Sequence, residues 1–117
     1  MSIPVTTQDS YPMCGRFTRT VSPNELMQKF GVKILHNLRS RWNIAPSQQA
    51  LVITRNGLRN AAVMAQWGLP PASAKQSFLI NARAETVREK PTFRDAFRHR
   101  RCVVVASGWY EWSAPKT

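Results

Sequence analysis

Ala50-Leu51-Val52-Ile53-Thr54-Arg55-Asn56-Gly57 carries the strongest fold signal in the chain. Residues 50–55 are apolar and β-branched, which suits a strand. Asn56-Gly57 reads as a two-residue hairpin turn, because both residue types tolerate positive φ. Residues 58–67 then return antiparallel. Upstream, residues 14–20 fit a short strand, and Ser22-Pro23-Asn24-Glu25 is a capping box with proline at the first helical position. Leu26, Met27 and Phe30 predict a short amphipathic helix that Gly31 ends. Residues 31–49 read as irregular. Downstream come a Pro-rich loop at 68–74, a short strand at 77–80, and helices over 84–100 broken near Pro91. A strand follows over 101–112, bent or bulged at Gly108. Strands, then helices, then a strand again predict an α+β fold with a mainly antiparallel curved sheet and a few short helices.

The chain has 117 residues, enough for one small domain. Residues 1–12 carry one charge, Asp9, and read as a disordered extension or a mis-assigned start. A long apolar strand so near residue 117 would sit at a sheet edge unless partners follow, so the domain is expected to be truncated. Hydrophobic residues make up 43%, which argues against general disorder. Seventeen Lys and Arg against six Asp and Glu leave a net charge of +11. Most of the basic residues are arginines, whose planar fork suits phosphate, so a nucleic-acid partner is expected. The plainer alternative is a solvated basic surface. No apolar run is long enough for a membrane helix. The two cysteines give neither a disulfide framework nor a metal spacing. Cys102, in an apolar run, reads as a small core hydrophobe. These features fit a cytoplasmic, nucleoid-associated monomer without metal or cofactor.

Met13-Cys14-Gly15-Arg16-Phe17 looks like the start of a protein rather than its interior. An N-terminal cysteine is a 1,2-aminothiol, able to condense with an aldehyde through nitrogen and close a thiazolidine through sulfur. While Met13 is attached, the Cys14 nitrogen is an amide and this route is shut.

Six segments together resemble one family: MCGRF at 13–17, RWNIAP at 41–46, WG at 67–68, INARAET at 80–86, FRDAF at 93–97 and GWYEW at 108–112. The family is that of the SOS-response-associated peptidases (SRAP), the abasic-site processing proteins. The resemblance covers 13–117 and corresponds to the N-terminal half of a family member. It implies a protein of the SOS DNA-damage response that binds single-stranded DNA and self-processes as a peptidase. Cys14, once exposed, would trap an abasic site as a covalent thiazolidine crosslink, with possible lyase activity. The competing expectation is an inactive, truncated, basic nucleic-acid-binding fragment.

Under this resemblance Cys14, Asn81 and Glu111 would be the catalytic residues. Asn81 would orient the opened sugar; its plainer role is a turn or strand-end residue bonding to backbone. Glu111, flanked by Tyr110 and Trp112, would shuttle protons if partial burial raised its pKa; otherwise it points to solvent or pairs with an arginine. Arg16 and Arg83 lie two residues from Cys14 and Asn81, which in strand geometry shares a face; they would hold phosphates. Arg88 belongs to a denser basic run that is either a phosphate contact or a solvated helix face. Trp42 and Trp67 would stack on bases or serve as core-rim aromatics. Asn43 and Pro46 would shape the pocket wall. The family's histidine, in an H-x-R-M-P motif of its second half, has no counterpart at His36 or His99.

Overall fold

The computed structural model of the chain describes residues 14–34, 37–70 and 78–113. The expected extension at 1–12, Met13, His36 and most of the Pro-rich loop lie outside the described residues. The elements in chain order are β1 (Phe17–Arg19), α1 (Pro23–Phe30), β2 (Arg41–Ile44), β3 (Gln49–Asn56), β4 (Arg59–Gln66), α2 (Pro91–His99), β5 (Val103–Val104) and β6 (Gly108–Trp109). The fold is α+β and the strand pairings are antiparallel. The strands divide into two three-stranded sheets, ordered β2-β1-β6 and β4-β3-β5.

β3 is the centre of the molecule. Ala50, Leu51, Val52 and Ile53 are all buried in sequence, so both faces of the strand are covered. Alternation sends Leu51 and Ile53 into a cluster with Leu26 of α1, Val32 and Val105. Ala50 faces the other way, into a cluster with Phe17 of β1 and Ile44 of β2. β3 therefore lies between the helix on one side and the second sheet on the other.

The hairpin forms as expected, but its turn lies one residue further on. Asn56 pairs with Arg59, leaving Gly57-Leu58 as the loop. Gly57 sits at φ +62°, whereas Leu58 does not take positive φ. Positive φ at the first central position alone describes a type II′ turn, which spares an exposed leucine the left-handed region. The pairing sum moves by two, so Leu51 faces Met64 rather than Ala62. An even slide preserves which side chains face the core.

α1 follows its sequence signals. Ser22 Oγ accepts from the Glu25 N–H at 3.2 Å, Pro23 opens the helix, and the Gly31 N–H bonds back to the Met27 carbonyl. Leu26 is fully buried, but Met27 is exposed and contributes little to the core. Residues 84–89 wind into turns rather than a helix. Lys90, held extended before Pro91, then lets α2 start afresh.

The expected strand over 101–112 splits into two dipeptide strands in different sheets. β5 pairs with β3, and β6 pairs with β1. The corner between them is held by Ser107: its N–H donates to the Thr18 carbonyl at 2.8 Å, and its Oγ accepts from the Thr20 N–H at 2.8 Å. Pairing with two sheets requires this break, so neither strand can extend. Cys102 precedes the edge strand β5 and is exposed, not a core hydrophobe.

One charge is buried against expectation. Arg19 of β1 is 3% exposed; its Nη2 donates to the Arg39 carbonyl at 3.2 Å, and its Nε has no partner among the described residues. Burial, and then the nearby Arg41 charge, pull the Arg19 guanidinium below its usual range. An unpaired buried cation opposes folding. Arg19→Met should therefore raise stability by about 1 kcal/mol or more, since an apolar chain of similar length fills the site without the charge. Leu51→Ala should lower it by about 2–5 kcal/mol. Urea unfolding followed by circular dichroism checks both signs, and a less stable Arg19→Met variant would overturn the first.

Candidate functional site

Cys14 lies three residues before the first residue of β1 and is 8% exposed. Its Sγ–H donates to the Arg16 carbonyl at 3.3 Å, a short-range contact that turns the thiol along the strand. The Cys14 carbonyl accepts a long hydrogen bond, 3.4 Å, from Asn81 Nδ2. Two motifs 67 residues apart thus meet at one point.

A chain of contacts sets Asn81 there. The Phe17 and Trp67 rings pack tilted, with centroids 5.4 Å apart. Trp67 Nε1 donates to the Ile80 carbonyl at 3.0 Å. Leu69 and Leu79 exchange both backbone hydrogen bonds, at 2.9 and 3.0 Å. Between Trp67 and Leu69, Gly68 adopts φ +119°, and a Cβ there would stand 3.4 Å from the Phe78 ring. The WG step is needed because the chain must reverse tightly against Phe78. Phe17, Trp67, Ile80, Asn81 and Cys14 close a ring of contacts around the head of β1.

Beside this ring opens a cleft of about 250 Å³. Trp67, Leu69, Ile80, Asn81 and Phe93 of α2 line it. Its walls are largely apolar, with the Asn81 amide as a polar group. That arrangement can hold a small, partly apolar group and orient it by hydrogen bonds.

The remaining sequence candidates fall around this centre at different distances. Tyr110 N–H donates to the Arg16 carbonyl at 3.0 Å, and Phe17 pairs with Trp109. Glu111 follows directly after this pairing. Glu111 is exposed, so the partial burial expected of it is not there. Arg16 is exposed and its Nη1 donates to Asn43 Oδ1 at 2.9 Å, joining the first motif to β2. Arg83 is exposed, two residues beyond Asn81. Residues 14–16 and 81–83 lie outside strands, so the pleat does not place either arginine on a common face with its neighbour. Trp42 is 65% exposed and free to stack, with its carbonyl accepting from the Tyr110 hydroxyl at 2.8 Å. Trp67 is half-buried and held at ring and nitrogen, so it is a wall of the cleft. Pro46 is half-buried in the turn after β2. Arg88 lies over the Phe97 ring, 5.5 Å from its centroid.

Sequence reasoning missed Phe93, the Tyr110 hydroxyl and Ser107. Phe93 sits at the start of the FRDAF segment, and that aromatic-basic pattern was the signal available for it. Nothing local marks Ser107 or the Tyr110 hydroxyl, whose partners lie in other elements. Among the described residues no group of three or more His, Cys, Asp or Glu is placed to hold a metal, and no helix is long and apolar enough to cross a membrane.

The family model described as SOS response associated peptidase (SRAP) matches residues 13–117. The abasic site processing protein YobE of Bacillus subtilis is 37% identical over 114 residues, covering 90% of this chain and 52% of that protein. The abasic site processing protein YoqW of Bacillus phage SPbeta is 38% identical over 114 residues, covering 90% and 51%. The abasic site processing protein YedK of Escherichia coli is 27% identical over 106 residues, covering 86% and 48%. The chain spans about half the length of the curated relatives it matches. No solved structure matches it.

The Trp67 hydrogen bond gives the site a direct handle. Trp67→Phe keeps an aromatic ring against Phe17 and removes the donor to Ile80. It should cost about 1 kcal/mol and speed amide exchange at Leu69 and Leu79, which native-state hydrogen exchange measures. Unchanged protection at those two amides would show that the bond does not position the Asn81 segment.

Proposed function

The chain belongs to the SOS response associated peptidase (SRAP) family, and from that premise we propose that it captures abasic sites in single-stranded DNA through a covalent bond to Cys14. The observation that carries this reading is the Asn81 amide donating to the Cys14 carbonyl. It joins a candidate nucleophile to a candidate sugar-orienting group beside an open cleft. The relatives' names, which describe abasic site processing, support the same substrate.

The chemistry starts from hydrolysis of the Met13–Cys14 peptide bond, which consumes one water and frees the Cys14 amine. An abasic deoxyribose opens in part to an aldehyde at C1′. The amine, with a reference pKa of about 7.7–8.0, is partly neutral near pH 7.5 and attacks that carbon. Loss of water leaves an imine. The Cys14 thiolate then adds to the imine carbon, the nitrogen takes up a proton, and the thiazolidine ring closes. The ring ties the strand to the protein and removes the aldehyde that would otherwise drive strand cleavage.

Asn81 donates and accepts through one planar amide, so it can hold the ring-opened sugar while bonded to Cys14. Glu111, one residue beyond the Tyr110–Arg16 hydrogen bond, can carry protons from the attacking amine to the departing water. Arg16 and Arg83, exposed on either side, supply phosphate contacts that fix the strand without reading bases. Trp42 offers a face for an unstacked base next to the lesion.

A second reading, binding without covalent capture, is favoured by the same exposure of Glu111, since a solvated carboxylate is a weaker proton shuttle. The two readings separate in one experiment. Protein beginning at Cys14 is incubated with a single-stranded oligonucleotide carrying an abasic site and run on a denaturing gel. A crosslinked band is expected, absent for Cys14→Ala. Its formation should slow at least about tenfold for Asn81→Ala and about a hundredfold for Glu111→Gln. Crosslinking by Cys14→Ala equal to the parent would sink the covalent reading, and binding without a band would favour the second.

A further inference from the structure

α2 is a helix that buries none of its residues. Its inner face, Phe93, Ala96 and Phe97, is half-buried, and Phe93 lines the cleft that holds Asn81. Arg94 and Arg98 are exposed and one turn apart on a flank adjoining Phe97. Asp95 borders this row, three residues before Arg98, and is paired with Arg100, the ion pair found among the described residues.

Two more guanidinium groups adjoin the same helix. Arg88, before α2, and Arg101, after it, both lie over the Phe97 ring, at 5.5 and 5.3 Å from its centroid. A guanidinium stacked on an aromatic face keeps its N–H edge free for a bidentate contact. Stacking also restricts the side chain beforehand, so less entropy is lost when a ligand binds.

We infer that α2 and the Arg88–Phe97–Arg101 stack form a track for the phosphodiester backbone of the DNA strand leaving the Cys14–Asn81 site. This rests on the reading that single-stranded DNA is the substrate. The occupant follows from charge complementarity and from position: two arginines on a short helix and two flanking it, next to the cleft, with the nearby carboxylate already paired. Arg94 and Arg98 are separated by about 6 Å along the helix axis, enough for each to take a different phosphate. Such contacts fix the path of the strand and carry no sequence preference.

The test is the salt dependence of binding to undamaged single-stranded DNA, read by fluorescence anisotropy on the full chain. This readout does not involve Cys14 chemistry. The double variant Arg94→Gln with Arg98→Gln should weaken binding equally for strands of different sequence. It should also flatten the plot of log K against log salt by about 1.4, two contacts at about 0.7 each. Lys29→Gln with Lys33→Gln removes the same charge from the α1 side of the molecule and should leave the slope unchanged. Equal losses in the two double variants would overturn the track, because the effect would then be net charge alone. An unchanged slope for the α2 variant would overturn it as well. A protein beginning at Cys14 that binds undamaged strands through α2 yet forms no crosslink would leave the track standing and remove only the covalent reading.

Discussion

Burial of β3 on both faces is the constraint from which the rest of the structure follows. Four consecutive apolar side chains cannot be covered by one layer, so the chain must supply two. α1 and Val32 cover Leu51 and Ile53, while β1 and β2 cover Ala50. Because β1 belongs to the second layer, the residues just before it, Cys14 to Arg16, are carried to the rim of the core. The candidate nucleophile is placed there by the packing of the strand that follows it.

The same arrangement explains why the site closes through Trp67. β4 returns from the hairpin and ends at Gln66, so the next residue emerges beside Phe17. An aromatic ring there completes the second cluster and also turns its N–H outward to Ile80. One side chain thereby couples the core to the segment that carries Asn81. The apolar ring and its polar edge serve packing and positioning together, which a phenylalanine could not do. Gly68 is the complementary requirement, since a side chain at φ +119° against Phe78 would be strained.

Local signals were legible in the residues, and non-local ones were legible only in part. The Ser22 cap and the Pro23 helix start depend on neighbours within three residues and appear as written. The hairpin was visible, but its turn type was not, because the choice between Asn56-Gly57 and Gly57-Leu58 is made by pairing along the whole of β3 and β4. The segment from Arg101 to Trp112 misled because apolar, β-branched composition is the same for one strand or two. What divides it is Ser107 bonding to Thr18 and Thr20, almost ninety residues away. The meeting of Asn81 with Cys14 has no periodicity to announce it; the INARAET and MCGRF segments pointed to it only as motifs. Glu111 shows the limit most clearly. An aromatic neighbourhood in sequence suggested burial, yet Trp109, Tyr110 and Trp112 are themselves exposed and cannot desolvate it.

The arginines divide by environment in a way that net charge hides. Arg19 is buried without an anionic partner among the described residues, Arg41 is spent on the backbone and side chain of Gln49 and Gln48, and Arg16 on Asn43. Arg41 ties β2 to the start of β3. Among the described residues Arg94 and Arg98 have no such structural employment, and Arg88 and Arg101 engage a ring face. A positive field from the whole surface would draw a polyanion to the molecule from any direction. Only groups that are exposed and stacked or aligned can convert that attraction into a defined path. The chain concentrates such groups on and beside α2, whose inner edge opens into the cleft beside Asn81, so the proposed path and the proposed site share the wall formed by Phe93.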